Sequence, residues 1–463
     1  MSVTPTRRTV LAAAVAAAAG SAFSSSASAS VTARPRGGTA AAAAPIDFRG
    51  WHTAEHWAEG AADGVKAVGS ERPGIAIDKP AGTLEYKDPH AKKAAKGAKA
   101  ATTWEYATWT APAHTFTTPA TEAIASWNAD TPAGTWVQIE LQGTYSDDTQ
   151  TPWYVMGRWT AGDAAADIHR TSLDDQSDDK SAISTDTFAI SDPASGLRLT
   201  KAQLRLTLCR TPGTTATPTV WRTGVMGSAI PDRFTVPASE PGAAAGKELQ
   251  VPRYSQEIHR GQYPEYDGGG EAWCSPTSST MILESWDRKP TPEDLSWVNP
   301  DYADPQVCHA ARYVYDYQYE GCGNWPFNAA YAATYTGMNA AITRLATLTD
   351  IETLVAAGIP PIVSMSFLAK ELDGAGYGTA GHIMTVIGFT ASGDVIANDP
   401  ASPDNASVRH VYKRAQFETI WLRTKRKNDK GETVSGPGGV TYVYWPTDVT
   451  AAQRSALEAV GVM

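Results

Sequence analysis

The stretch Gly268-Gly269-Gly270-Glu271-Ala272-Trp273-Cys274-Ser275-Pro276 sets a cysteine between a glycine-rich loop and the start of a helix. Pro276 suits the first helical position, where its missing N–H has no intrahelical partner, and Ser275 reads as the N-cap before it. Met281, Ile282, Ser285 and Trp286 then share one helical face, and Arg288-Lys289-Pro290 ends the pattern. A thiol at a helix N-terminus meets free N–H groups and the positive end of the helix dipole. Both favour the thiolate, which is the nucleophile cysteine chemistry requires. The plain alternative is a structural cysteine, buried or disulfide-bonded, as is common outside the cell.

A base for that nucleophile is found further on. His382 to Phe389 reads as a strand, Ala391-Ser392-Gly393-Asp394 as a turn, and Val395 to Asp399 as the returning strand, stopped by Pro400. In a hairpin the residue numbers of paired positions have a nearly constant sum. A turn centred between Ala391 and Ser392 therefore sets His382 opposite residues 399–401. A carboxylate on one ring nitrogen orients an imidazole and makes it more basic. Asn398 competes with Asp399 for that place, because strand alternation puts only one of them on the face of the histidine. His309 adjoins Cys308, which raises a Cys/His metal site. However, the four cysteines form no Cys-x-x-Cys pair, so no metal is expected. Gly268-Gly269-Gly270 lacks the lysine of a phosphate-binding loop, so no nucleotide cofactor is expected either.

These residues need a scaffold, and the pattern supplies one from about residue 249 to 463. Helices are expected at Glu293–Trp297, Gln306–Tyr319, Trp325–Tyr335 and Ile351–Ala357, and a buried strand at Pro361–Phe367. Leu372 to Gly381 is glycine-rich and reads as a mobile loop over a cleft. Cys308 and Cys322 bracket one helix, and a disulfide between them is the expectation for an exported chain. Cys209 ends a strand-like run and reads as a buried thiol.

Ahead of this unit the texture changes. Trp104–Trp109, Trp136–Leu141, Trp153–Met156, Leu197–Leu199 and Leu204–Leu208 read as short strands separated by Thr, Gly, Asp and Pro clusters. Together they predict an antiparallel β-sandwich over residues 45–236. Trp104, Trp109, Trp127, Trp136, Trp153 and Trp159 would pack its core or line a carbohydrate-stacking face. Residues 237–248, rich in Pro, Ala and Gly, read as a linker. The fold class is thus α+β: an antiparallel sandwich, then a helix bearing the cysteine packed on an antiparallel sheet.

The first residues carry an address. Arg7-Arg8, the apolar run Val10 to Gly20 and Ala27-Ser28-Ala29 make a twin-arginine signal over residues 1–29, which implies a bacterial protein exported to the outside. Residues 30–44 read as a disordered linker, and Lys92, Lys93, Lys96 and Lys99 as a solvated patch. The net charge of −10 argues against nucleic-acid partners. No later run is apolar enough to span a membrane.

Val251 to Gln256, Trp273 to Ser278, Gly381-His382 and Asn398-Asp399-Pro400 together resemble a papain-like cysteine peptidase of the bacteriocin-leader-processing, or double-glycine, type. The resemblance covers roughly residues 251–445. It implies attack by Cys274 on an amide carbonyl, His382 as general base, Asp399 as its orienter and Gln256 as an oxyanion donor. A peptide or protein is then the expected substrate, with cell-wall or carbohydrate contact through the first domain left open. The competing expectation is a binding protein of the same fold with an inert Cys274.

Overall fold

The computed structural model describes residues 45–91, 103–164 and 166–463. The expected signal, the stretch 30–44 and Lys92 to Lys99 lie outside these residues.

The first unit is built on the strand Leu199–Arg210, which pairs antiparallel with Thr135–Tyr145 on one side and Thr103–Thr110 on the other. Its period-two pattern drives the arrangement. Leu204, Leu206 and Leu208 enter the core, while Arg205 turns outward to Glu140 at 2.6 Å. Two seven-stranded antiparallel sheets result. Ile124, Trp127, Phe188 and Val225 of the second sheet share one core with the leucines of the first. Trp109, Trp127 and Trp159 are wholly buried there, and Trp104 and Trp136 pack with Cys209 in a smaller cluster. These indoles fill space within and behind the sheets and do not form a stacking face.

The second unit is a six-stranded antiparallel sheet. Its order is Met338–Arg344, Val440–Pro446, Ile362–Phe367, Thr379–Phe389, Val395–Asn398 and Arg409–Tyr412. Both faces are covered, so its strands are apolar almost throughout. Ile342, Ile362, Ile383 and Tyr442 face the helices Cys274–Ser285 and Trp325–Thr334. Val363, Met365, Met384 and Val386 face Leu348–Ala356 and Arg414–Leu422.

Some local expectations are corrected. The first helix begins at Cys274 with Trp273 at its N-cap, so Ser275 lies inside it and caps nothing. Glu293–Trp297 forms turns, closed by reciprocal bonds between Thr291 and Asp294, and does not propagate into a helix. The helix expected to reach Tyr319 ends at Val314. Asp316 is fully buried just beyond and draws the chain round itself, accepting from Ser172 N, Gln318 N and Asn324 Nδ2. The expected disulfide is absent. Cys308 Sγ lies 3.6 Å from His259 Nδ1, whereas Cys322 Sγ donates to Ala311 O at 3.4 Å, so the two sulfurs are committed to different partners.

The two units share a dense boundary. Trp127 and Trp159 meet Phe327 edge-on at 5.9 and 5.4 Å. Asn128 bonds both backbone groups of Ala340, donating to its O at 2.9 Å and accepting from its N at 3.1 Å. Asp186 accepts from Trp325 N at 2.9 Å, at the start of a helix of the other unit. The stretch 237–248 is not a loose tether. Arg414 donates to the oxygens of Ser239 and Glu240, and Glu418 accepts from Ser239 N. Ala244 is buried, and Glu248 bridges to Gly388.

Candidate active site

Cys274 is presented by a loop that only glycine permits. Gly269 has φ 100°, outside the range of side chains with a Cβ. A Cβ on Gly270 would stand 2.2 Å from Gln256 O. Trp273, wholly buried, anchors the end of the loop: its indole donates to Tyr266 O at 2.7 Å and its ring tilts against His259. No side chain caps the helix that follows, so the N–H groups beside the sulfur are not taken up by a cap. The helix is pinned to the sheet by its own hydroxyls. Ser275 Oγ meets Tyr442 OH at 3.0 Å and Ser279 Oγ meets Tyr444 OH at 3.1 Å. This accounts for a serine-rich segment in the core, since buried hydroxyls require partners.

His382 sits on the strand Thr379–Phe389, opposite Met365 of the neighbouring strand. Next to the turn the hairpin pairs Phe389 with Val395 and Gly388 with Ile396, and a bulge between Gly388 and Val386 shifts the register by one to set Thr385 opposite Asn398. Asp399 follows directly. Its Oδ1 lies 2.8 Å from His382 Nε2 and also accepts from Ala401 N at 3.0 Å. Asn398 points elsewhere, its amide donating to Pro252 O at 3.0 Å. Alternation therefore puts Asp399, and not Asn398, on the face of the histidine.

The pair is 5 % and 1 % exposed at His382 and Asp399. Burial disfavours both charges, but mutual attraction outweighs it. Asp399 is held down at about 2, against burial, by His382 and by the hydroxyls of Tyr412 and Tyr377. Against the same burial, His382 is pushed up to about 10 by Asp399 and by the Cys274 side chain, which meets its ring. Nε2 is occupied by the carboxylate, which leaves Nδ1 for the sulfur. A half-buried thiol, a buried imidazole and a buried carboxylate thus stand in one row.

Residues 248–429 match the family model described as the peptidase C39-like family, and residues 47–228 match that of the peptidase C39 N-terminal domain. The chain carries a domain of the peptidase C39-like family. Its α+β architecture is the papain-like one, with the actinobacterial type of N-terminal domain in front. No curated protein matches it.

Within the C39-like domain, Gln256 is buried and stitched to both halves of the site. Its backbone N–H donates to Pro400 O at 2.8 Å, beside Asp399. Its side-chain Nε2 donates to Glu271 O at 2.8 Å, in the loop before Cys274, and to Glu257 Oε1 at 3.2 Å. Two residues of the site were not legible in sequence. Tyr377 OH and Tyr412 OH each donate to Asp399 Oδ2 at 2.8 Å. Tyr412 had a faint signal, as the end of a short alternating run two strands from the histidine. Tyr377, alone among glycines, had none.

Among the described residues no group of three or more His, Cys, Asp or Glu is arranged to hold a metal ion.

Proposed function

We propose that this chain is an exported cysteine peptidase that works through Cys274, His382 and Asp399. The observation that carries the reading is the buried His382–Asp399 pair, 2.8 Å apart, set against a cysteine at an uncapped helix start. An imidazolium beside a sulfur favours the thiolate, which is the attacking species. The thiolate attacks the amide carbonyl and a C–S bond forms. His382 gives its proton to the leaving amine as the C–N bond breaks. It then takes a proton from water, which attacks the acyl-enzyme and releases the acid and the free thiolate. Negative charge on the former carbonyl oxygen would be met by the Cys274 backbone N–H and by Gln256.

Export rests on the twin-arginine pattern at Arg7-Arg8, and the substrate is taken to be a peptide or protein. Among the described residues no helix is long and apolar enough to cross a membrane.

The test is alkylation of the folded protein by iodoacetamide near neutral pH, with turnover of a fluorogenic peptide library measured alongside. Cys274 should react first, His382→Ala should slow that reaction at least tenfold, and Cys274→Ala should abolish turnover. A reaction rate at Cys274 indifferent to His382 would leave the inert-cysteine binding protein as the better reading.

A further inference from the structure

We propose that Tyr377 is a positioning residue of this site: its hydroxyl, carried on the glycine-flanked loop 372–378, fixes the outer oxygen of Asp399 so that the inner oxygen faces His382. The inference rests on the Cys274–His382–Asp399 reading above.

A carboxylate held on one oxygen only can rotate. Asp399 is held on both. Oδ1 takes His382 and Ala401, and Oδ2 takes Tyr377 and Tyr412. The two tyrosines are mounted differently. Tyr412 is wholly buried on a strand, its ring stacked between His410 and Phe417. Tyr377 is half-buried on a loop with Gly374 at φ 91° and Gly376 at φ 79°. Its ring stands edge-on to His382 at 5.6 Å and tilts against Phe367 at 5.3 Å, so it also covers the His382–Asp399 bond. The hydroxyl remains a proton donor: burial and then Asp399 push its ionisation far upward.

The hydroxyl is not what ties the loop down. Leu372 is wholly buried, Asp373 pairs with Lys413 at 2.6 Å, and Asp373 N donates to Gln416 at 3.0 Å. The base of the loop is anchored without Tyr377, so the hydroxyl is available to serve Asp399.

A donor to the ionised form stabilises that form, so its loss raises the proton affinity of Asp399. His382 is held only while Asp399 is ionised. The experiment follows kcat/KM for a peptide, and the rate of Cys274 alkylation, as functions of pH in the full chain. Tyr377→Phe keeps the ring on His382 and removes the hydroxyl. It should lower kcat about tenfold with KM nearly unchanged, and move the acid limb of both profiles up by about one pH unit, a tenfold change in proton affinity. Lys413→Ala loosens the base of the loop and leaves the hydroxyl in place, so its acid limb should stay where the wild type has it. The inference is overturned if Tyr377→Phe keeps the wild-type acid limb, or if Lys413→Ala moves it as far. His382→Ala separates the two levels. If it leaves Cys274 alkylation unchanged, the triad reading itself has failed; if it slows alkylation while Tyr377→Phe moves nothing, only the role of Tyr377 has failed.

Discussion

Asp399→Asn removes one charge from the buried row and almost nothing else. All four partners of the carboxylate donate to it. An asparagine can keep its oxygen toward His382 and Ala401 and turn its NH2 toward the two tyrosine hydroxyls, which accept as readily as they donate. The bonds therefore survive, and the loss is electrostatic. His382 stands at about 10 only because Asp399 and then Cys274 overcome burial. Without the carboxylate, burial governs and the imidazole falls back to its ordinary value of 6.5 or below. That swing is at least about three pH units, or roughly 4 kcal/mol at one pH unit per 1.36 kcal/mol. Near neutral pH the imidazole is then largely neutral, and turnover should fall by about 10³–10⁴.

The pH profile carries the sharper signature. Asp399 is depressed, so its stabilising charge is present above its ordinary 3.8 and is lost as pH falls through about 2. His382 is raised, so its contribution is complete below 6.5 and is lost as pH rises through about 10. In the wild type the His382 ring should therefore stay protonated through neutral pH and lose its proton only toward about 10, which proton NMR of the ring reads directly. In Asp399→Asn the ring should lose its proton near its ordinary 6.5 or below. A variant within tenfold of wild type whose ring stays protonated through neutral pH would refute the electrostatic account of the pair.

Gln256→Ala should cut turnover on the order of 100-fold while Cys274 alkylation stays within a few-fold of wild type; equal loss of both would confine Gln256 to holding the Glu271 carbonyl and its loop. Asn128→Ala strands the N–H and C=O of Ala340 in a buried boundary, so the melting free energy should drop by about 1–3 kcal/mol, with both units still unfolding in one calorimetric transition. Two separated transitions in the wild type would show that the boundary does not couple them. Peptide mapping without reductant should find no Cys308–Cys322 crosslink, and Cys308 should resist alkylation in the native state, because burial pushes its thiol up to about 12.

What was legible in sequence was local. The hairpin that brings residues 398–401 to His382 follows from turn position and strand period, whereas the choice of Asp399 over Asn398 came from the family resemblance. The cysteine loop was equally plain, because three consecutive glycines at 268–270 mark unusual backbone or a close approach. Tyr377 and Tyr412 were hidden, since each reaches Asp399 through separate loops whose lengths fix no register. Spacing misled at Cys308 and Cys322: Cys308 lies within a helix that stops early, at Val314, and Asp316 turns the chain inward before Cys322 is reached. The boundary between the units escaped because Asn128 and Phe327 look ordinary in their own segments and acquire meaning only against Ala340 and Trp127 of the facing unit.

The bond pair between Asn128 and Ala340 bears on the order of events as the chain is made. Met338–Arg344 is the outermost strand of the second sheet, and its free side presents N–H and C=O groups of the kind that recruit any other strand in solution. Asn128 offers those groups one donor and one acceptor in the spacing of a neighbouring peptide, so a single side chain stands in for a missing strand. Synthesis runs from the N-terminus, so the unit that supplies this stand-in leaves the ribosome more than a hundred residues before the edge it covers. The sheet thus emerges with the cover for its edge already synthesised and covalently attached to it, a local concentration that a second copy of the same edge has to compete against.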